Sequence, residues 1–148
     1  MANIADDLRE WGWVLRSGGA PGADKVFESH AGTQKEIFTS KSDIPDGAFG
    51  IAEEVHPAWD MCNEHARRLH ARNVMQILGQ NLDAPVRCVI CWTPDGCEDH
   101  CSRTMATGGT GQAISVASLL NIPVYNLENK NRQGRGLAEL LEQVRNVT

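Results

Sequence analysis

The sequence predicts a single α/β domain built on a mainly parallel sheet, and three observations carry that expectation. Helical and extended patterns alternate along the chain, as strands joined by crossover helices require. Cys88-Val89-Ile90-Cys91-Trp92 is a near-continuous apolar run, the pattern of a parallel strand covered on both faces. Two glycine-rich turns, Ser17-Gly18-Gly19-Ala20-Pro21-Gly22-Ala23-Asp24 and Thr107-Gly108-Gly109-Thr110-Gly111-Gln112, sit where extended runs give way to helical patterns.

The elements follow in order. Ile4, Leu8 and Trp11 recur at i, i+4 and i+7, which predicts a short amphipathic first helix. Trp13-Val14-Leu15 reads as a buried strand delivering the first glycine turn, with a helix after it over 23–30 and a second strand over 35–39. Pro45, Gly47, Gly50 and Pro57 mark 40–57 as a long loop, of a length that is usually functional or mobile. Pro57 is expected to open the longest helix, 58–78, along which Trp59, Cys62, Ala66, Leu69, Val74, Ile77 and Leu78 form an apolar stripe and which Gly79 stops. A polar loop, 93–105, leads from the strand at 88–92 to the second turn. A helix over 112–120, a strand over 122–127 and a closing helix carrying Leu137, Leu140, Leu141 and Val144 complete the chain. No repeat, linker or low-complexity segment divides residues 1–148.

Composition narrows the function classes. At 148 residues the chain is large enough to bury about two-thirds of its unfolded surface as one domain. Its net charge of -5 argues against nucleic acid as a partner, because phosphate-backbone binding needs a basic patch. No apolar run approaches the ~20 residues that span a bilayer. The first residues, Met1-Ala2-Asn3-Ile4-Ala5-Asp6-Asp7, lack the apolar core of a signal peptide, so a cytoplasmic protein without a membrane partner is expected. The five cysteines then read as thiols. Cys97, His100 and Cys101, with Cys91 upstream, raise a zinc reading, but the spacing matches no closed zinc site. Cys88 and Cys91 should face opposite sides of their strand. Neither a metal nor a cofactor is assigned.

The glycine turns carry the chemistry. Gly18 and Gly19 allow a sharp turn and leave no Cβ between the backbone and a ligand that reaches Ala20. Arg16 and Ser17 fall at a strand's carboxyl end, where open α/β sheets bind ligands. Asp24 suits either the first turn of the following helix or a ligand hydroxyl. Gly108, Gly109, Thr107 and Thr110 offer the same combination at the second turn, the threonines also suiting a helix cap. Arg68 and Arg72 share one face of the long helix, where His70, Arg72 and Asn73 form either a solvated face or phosphate and ribose contacts. Trp59 and Trp92 default to the core, although Trp92 and Thr93 end a strand at the ligand-facing edge, where an indole can stack on a base. Two such turns, about 90 residues apart, imply one shared cleft.

At these residues the chain resembles the SLOG superfamily, which includes the LONELY GUY phosphoribohydrolases, the Rossmann domain of the DNA-processing protein DprA, and nucleotide-sensing domains of antiphage systems. The first turn resembles the signature of the small YspA-like members. His56-Pro57-Ala58-Trp59-Asp60, Leu69-His70-Ala71-Arg72-Asn73, Val89-Ile90-Cys91-Trp92-Thr93-Pro94 and Gly108-Gly109-Thr110-Gly111-Gln112-Ala113-Ile114 resemble a single-domain branch common in bacteriophage and prophage genomes.

The resemblance implies a three-layer Rossmann-like domain, a homodimer, and a cleft for a nucleotide or nucleotide-derived molecule between the turns. It also shows departures. LONELY GUY enzymes place Thr and then a catalytic Glu where this chain has Gln112 and Ser115, and cleavage of an N-glycosidic bond needs such a carboxylate. Many members begin with a strand and a Gly-Ser-Arg turn that this sequence lacks. The expectation is therefore a non-catalytic nucleotide-binding protein, sequestering an ADP-ribose-like or cyclic nucleotide immune signal as a phage anti-defence sponge. The alternatives are a phosphoribohydrolase with a carboxylate relocated to Asp24, Glu53, Glu54 or Asp60, and a DprA-like binder of single-stranded DNA.

Overall fold

The computed structural model describes residues 2–129, 142, 145 and 146. Helix α1 (Ala2–Glu10) precedes strand β1 (Leu15–Ser17), and helix α2 (Ala23–Ala31) crosses over to strand β2 (Lys35–Ile37). Helices α3 (Asp46–Val55) and α4 (Glu64–Leu78) flank a 3-10 turn at Trp59–Met61. Strand β3 (Val89–Cys91), a second 3-10 turn (Met105–Thr107), helix α5 (Thr110–Leu119) and strand β4 (Val124–Asn126) follow. The molecule is thus a mixed α/β protein. The closing helix expected around Leu137, Leu140, Leu141 and Val144 lies outside the described residues.

Both strand pairs are parallel, as crossover helices demand. Leu15 stands opposite Lys35 and Ser17 opposite Ile37, while Val89 stands opposite Val124 and Cys91 opposite Asn126. The four strands fall into two two-stranded sheets, β1–β2 and β3–β4, rather than the one sheet expected. Among the described residues the other edges of β1 and β3 are unpaired, and a cavity is lined by both strands.

Successive residues of β3 enter different cores, as the period of two in a strand dictates. Val89 and Cys91 join Val124 against α3, α4 and α5, whose Ala48, Ala52, Ala71, Val74 and Ile114 are fully buried. Cys88 and Ile90 join Leu15 and Tyr125 against Ile4, Ala5 and Phe27 of α1 and α2. The cysteines at 88 and 91 therefore do face apart. Burial raises the thiol pKa of Cys88 to about 11 and that of Cys91, helped by Glu98, to about 12, so both are inert core thiols.

Most element ends differ from the sequence reading by a residue or two, and three differences are larger in consequence. The first strand starts at Leu15, and Val14 is 58% exposed. The loop expected over 40–57 contains α3, whose Ala48 and Ala52 let it pack closely on α4. The longest helix starts at Glu64, not near residue 58, because Asn63 Oδ1 accepts from Ala66 N at 2.8 Å and caps it. Gly79, with φ +81°, ends it as expected.

Candidate functional site

The first glycine turn leaves β1 and folds back onto α2. Gly19 and Gly22 have φ of +70° and +93°, conformations that favour glycine. Asp24, in the first turn of α2, accepts from Ala20 N at 3.1 Å and closes the loop. The second turn has a comparable support upstream. The Asp95 carboxylate accepts from the hydroxyls of Thr93, Thr104 and Thr107 and from Cys97 N. These bonds, Thr107's above all, hold its carboxyl well below the usual carboxylate range. Thr104 and Thr107 also form a capping box, so the chain enters Gly108 and Gly109 from a fixed direction.

Helix α4 ties the two turns together. Arg72 Nη1 donates to Gly18 O at 3.2 Å and Nη2 to Asn73 Oδ1 at 3.0 Å, while Asn73 Nδ2 donates to Gly109 O at 3.1 Å. Gly18 is needed for this approach, since a Cβ there would lie 2.7 Å from Arg72 Nη1. Neighbouring residues of one helix thus hold a backbone carbonyl of each turn.

A cavity of about 1850 Å³ opens beside this junction. Of the sequence-predicted residues, Arg16, Ser17, Ala20, Asp24, Arg72, Asn73, Trp92, Gly108, Gly109 and Thr110 line it. Gly18, Gly19, Thr93 and Thr107 do not; Gly18 O accepts from Arg72, and Thr93 and Thr107 donate to Asp95. Thr93 also accepts from Asn126 Nδ2 at 2.7 Å, within a buried polar cluster at the ends of β3 and β4. Trp92 is 45% exposed, with its indole N–H donating to Glu128 at 2.9 Å, so it presents a face rather than filling the core. Trp59 packs against the core, with Arg67 over its ring at 5.2 Å.

Where the first turn meets α4, Ser17 and Arg72 are incompletely satisfied. Ser17 is only 3% exposed, yet its hydroxyl has no hydrogen-bond partner among the described residues, and Arg72 Nε is likewise buried without one. Buried polar atoms are rarely left so. Arg72 and Arg103 are half-buried guanidiniums on the cavity wall, and among the described residues neither forms an ion pair with a carboxylate. Desolvation lowers both pKa values, with Asp24 partly restoring that of Arg72, but a guanidinium stays charged. Arg103 Nη1 donates to Val55 O, Gln112 Oε1 and Ser115 Oγ, all neutral acceptors.

Sequence reasoning missed Arg103. It also missed what surrounds His70. His70 and His56 line the cavity with ring centroids 4.2 Å apart, and Cys62 Sγ lies 3.9 Å from His56 Nε2. Burial, then the nearby His56, Arg103 and Arg72, pushes the His70 pKa down to about 4, so the ring is neutral at neutral pH. The other cysteine and histidine group considered disperses. Cys97 Sγ donates to Asp99 O, His100 Nδ1 lies 2.9 Å from Ser115 Oγ, and Cys101 is exposed. Gln112 and Ser115 are completely buried; Gln112 Nε2 donates to Ala52 O at 2.9 Å, locking α5 to α3.

Scans against protein-family models, curated proteins and solved structures find no match to the chain. No helix among the described residues is long and apolar enough to cross a membrane.

Proposed function

We propose that the chain is a SLOG-type, three-layer Rossmann-like domain that binds a nucleotide-derived small molecule and holds it without cleaving it. One observation supports this reading most: Ser17 Oγ and Arg72 Nε are buried, unpartnered and placed beside the cavity where the first glycine turn meets α4. A phosphate oxygen can accept from both donors, and Arg72 and Arg103 bring positive charge that no carboxylate among the described residues meets at ion-pair distance. The exposed face of Trp92 suits a base, and Asn73 and Thr110 suit ribose hydroxyls.

Two features of the same site support binding over hydrolysis. Ser115, where the resembled enzymes carry their catalytic Glu, is completely buried between Arg103 and His100. Of the four carboxylates considered as replacements, Glu53, Glu54 and Asp60 are exposed and only Asp24 lines the cavity. Asp24 is already bonded to Ala20 N. The other carboxylate on the cavity wall, Glu36, is paired with Arg16 at 3.3 Å. In a phage-infected cytoplasm, a homodimer of such domains would act as a sponge for ADP-ribose-like or cyclic nucleotide signals.

Calorimetric titration with ADP-ribose, cyclic ADP-ribose, AMP and a single-stranded oligonucleotide tests the reading. Saturable binding of a mononucleotide-sized ligand, weakened in Ser17→Ala, is expected. Binding of the oligonucleotide alone would replace it with the DNA reading.

A further inference from the structure

Around His56, Cys62 and His70 three donor atoms, one from each side chain, lie within 4.8 Å of one another. The elements that bring them together are distinct: His56 follows α3, Cys62 follows the 3-10 turn, and His70 sits in the middle of α4. All three side chains are partly buried. One imidazole nitrogen, His70 Nδ1, is buried with no hydrogen-bond partner among the described residues. Two imidazoles and a thiol form the mixed nitrogen and sulfur set that zinc-class cations select, and a carboxylate-poor site of this kind disfavours magnesium or calcium.

We propose that His56, Cys62 and His70 bind a divalent zinc-class cation, leaving a fourth coordination position open toward the cavity. Tetrahedral zinc with bonds of about 2.0–2.3 Å sets its donor atoms roughly 3.3–3.7 Å apart. The 3.9 Å between Cys62 Sγ and His56 Nε2 is near that already, and the remaining closure is below about 1.5 Å. Cys62 lies in the short connection between the 3-10 turn and the Asn63 cap of α4.

Two features oppose the cation, and neither outweighs the ligand set. Coordination costs two bonds to Ala58: His56 Nδ1 accepts from Ala58 N at 3.0 Å and must carry the proton once Nε2 binds metal, and the Cys62 thiol, which donates to Ala58 O at 3.6 Å, loses its proton. Arg72 and Arg103 contribute positive charge nearby, and the Cys62 thiolate lowers the net charge of the metal centre to +1 once its proton leaves. His56 and His70 line the cavity whereas Cys62 does not, so the open position faces the space proposed for the ligand. A phosphate oxygen or a water would complete the tetrahedron. The metal site itself does not depend on which small molecule the cavity takes.

The test is a cobalt titration of chelator-treated full chain, read by thiolate-to-cobalt charge-transfer absorption, with zinc content measured by mass spectrometry. One metal per chain is expected, with a thiolate band that Cys62→Ser abolishes and Cys101→Ser, at an exposed cysteine, leaves intact. His70→Gln should weaken cobalt binding at least 100-fold while circular dichroism shows an unchanged fold. Absence of a thiolate band in the parent chain, or its persistence in Cys62→Ser, would overturn the proposal. Because the readout is metal alone, either result leaves the nucleotide reading to be judged by its own titration.

Discussion

Arg72 Nη2 donates to Asn73 Oδ1 at 3.0 Å, and through this pair the carbonyls of Gly18 and Gly109 are held by one turn of α4. The pair makes the two glycine turns a single wall of the cavity. It also gives Arg72 two placements, holding Gly18 and facing the cavity with its charge, and the proposed function adds a ligand to the second.

Those two placements separate on substitution. Arg72→Ala should weaken binding of ADP-ribose by about 1.5 to 3 kcal/mol, the range for a hydrogen bond to a charged group. Arg72→Lys should recover only part, because an ammonium cannot serve Gly18, Asn73 and a phosphate from one planar fork. Calorimetry checks both, and unchanged affinity in Arg72→Ala would leave the residue a purely structural tie.

Ser17 gives the opposite signature in the empty protein. Removing an unsatisfied buried hydroxyl relieves a desolvation cost, so Ser17→Ala should keep or raise the melting temperature while weakening ligand binding. A lower melting temperature together with unchanged affinity would show that the hydroxyl serves the fold alone.

Gly109 probes the space itself. Its φ of -62° and ψ of -29° suit any residue, and a Cβ there meets nothing within 4 Å. Gly109→Val should therefore fold normally and lose affinity by occupying the cavity. The same change at Gly19 would be ambiguous, since a φ of +70° strains any side chain. Retained affinity in Gly109→Val would move the ligand away from the second turn.

The glycine turns were legible in the sequence because positive φ at Gly19, Gly22 and Gly108 leaves a mark in residue type. The crossover order was legible for the same kind of local reason: β1 and β2, and β3 and β4, pair in parallel across helices whose periodicity is plain. Helix α3 was not. Pro45, Gly47 and Gly50 argue for a loop, and what overrides them is tertiary: Ala48 and Ala52 buried on α4, and Ala52 O bonded by Gln112 sixty residues on. Arg103 and the group at His56, Cys62 and His70 were hidden because their spacing follows no helical, strand or metal-motif period.

Acid should expose the support beneath the second turn. Asp95 is held below the usual carboxylate range in the folded protein, chiefly by the Thr107 hydroxyl. Its stabilising contribution is then fully present above the unfolded value of about 4 and is lost as pH falls below it. Asp95→Asn should be less stable than the parent at neutral pH, with the gap in melting temperature narrowing progressively as pH drops below about 4. A gap that does not change with pH would mean that the carboxylate's charge is irrelevant to the turn.

Sequestration without cleavage is tested most directly by recovering the ligand. AMP, NAD, ADP-ribose and cyclic ADP-ribose are incubated for hours with stoichiometric protein, the protein is heat-denatured, and the released material is resolved by chromatography. The account predicts that the bound species returns intact, in an amount matching the binding sites. Free base and ribose phosphate accumulating over multiple turnovers would contradict it and establish a hydrolase.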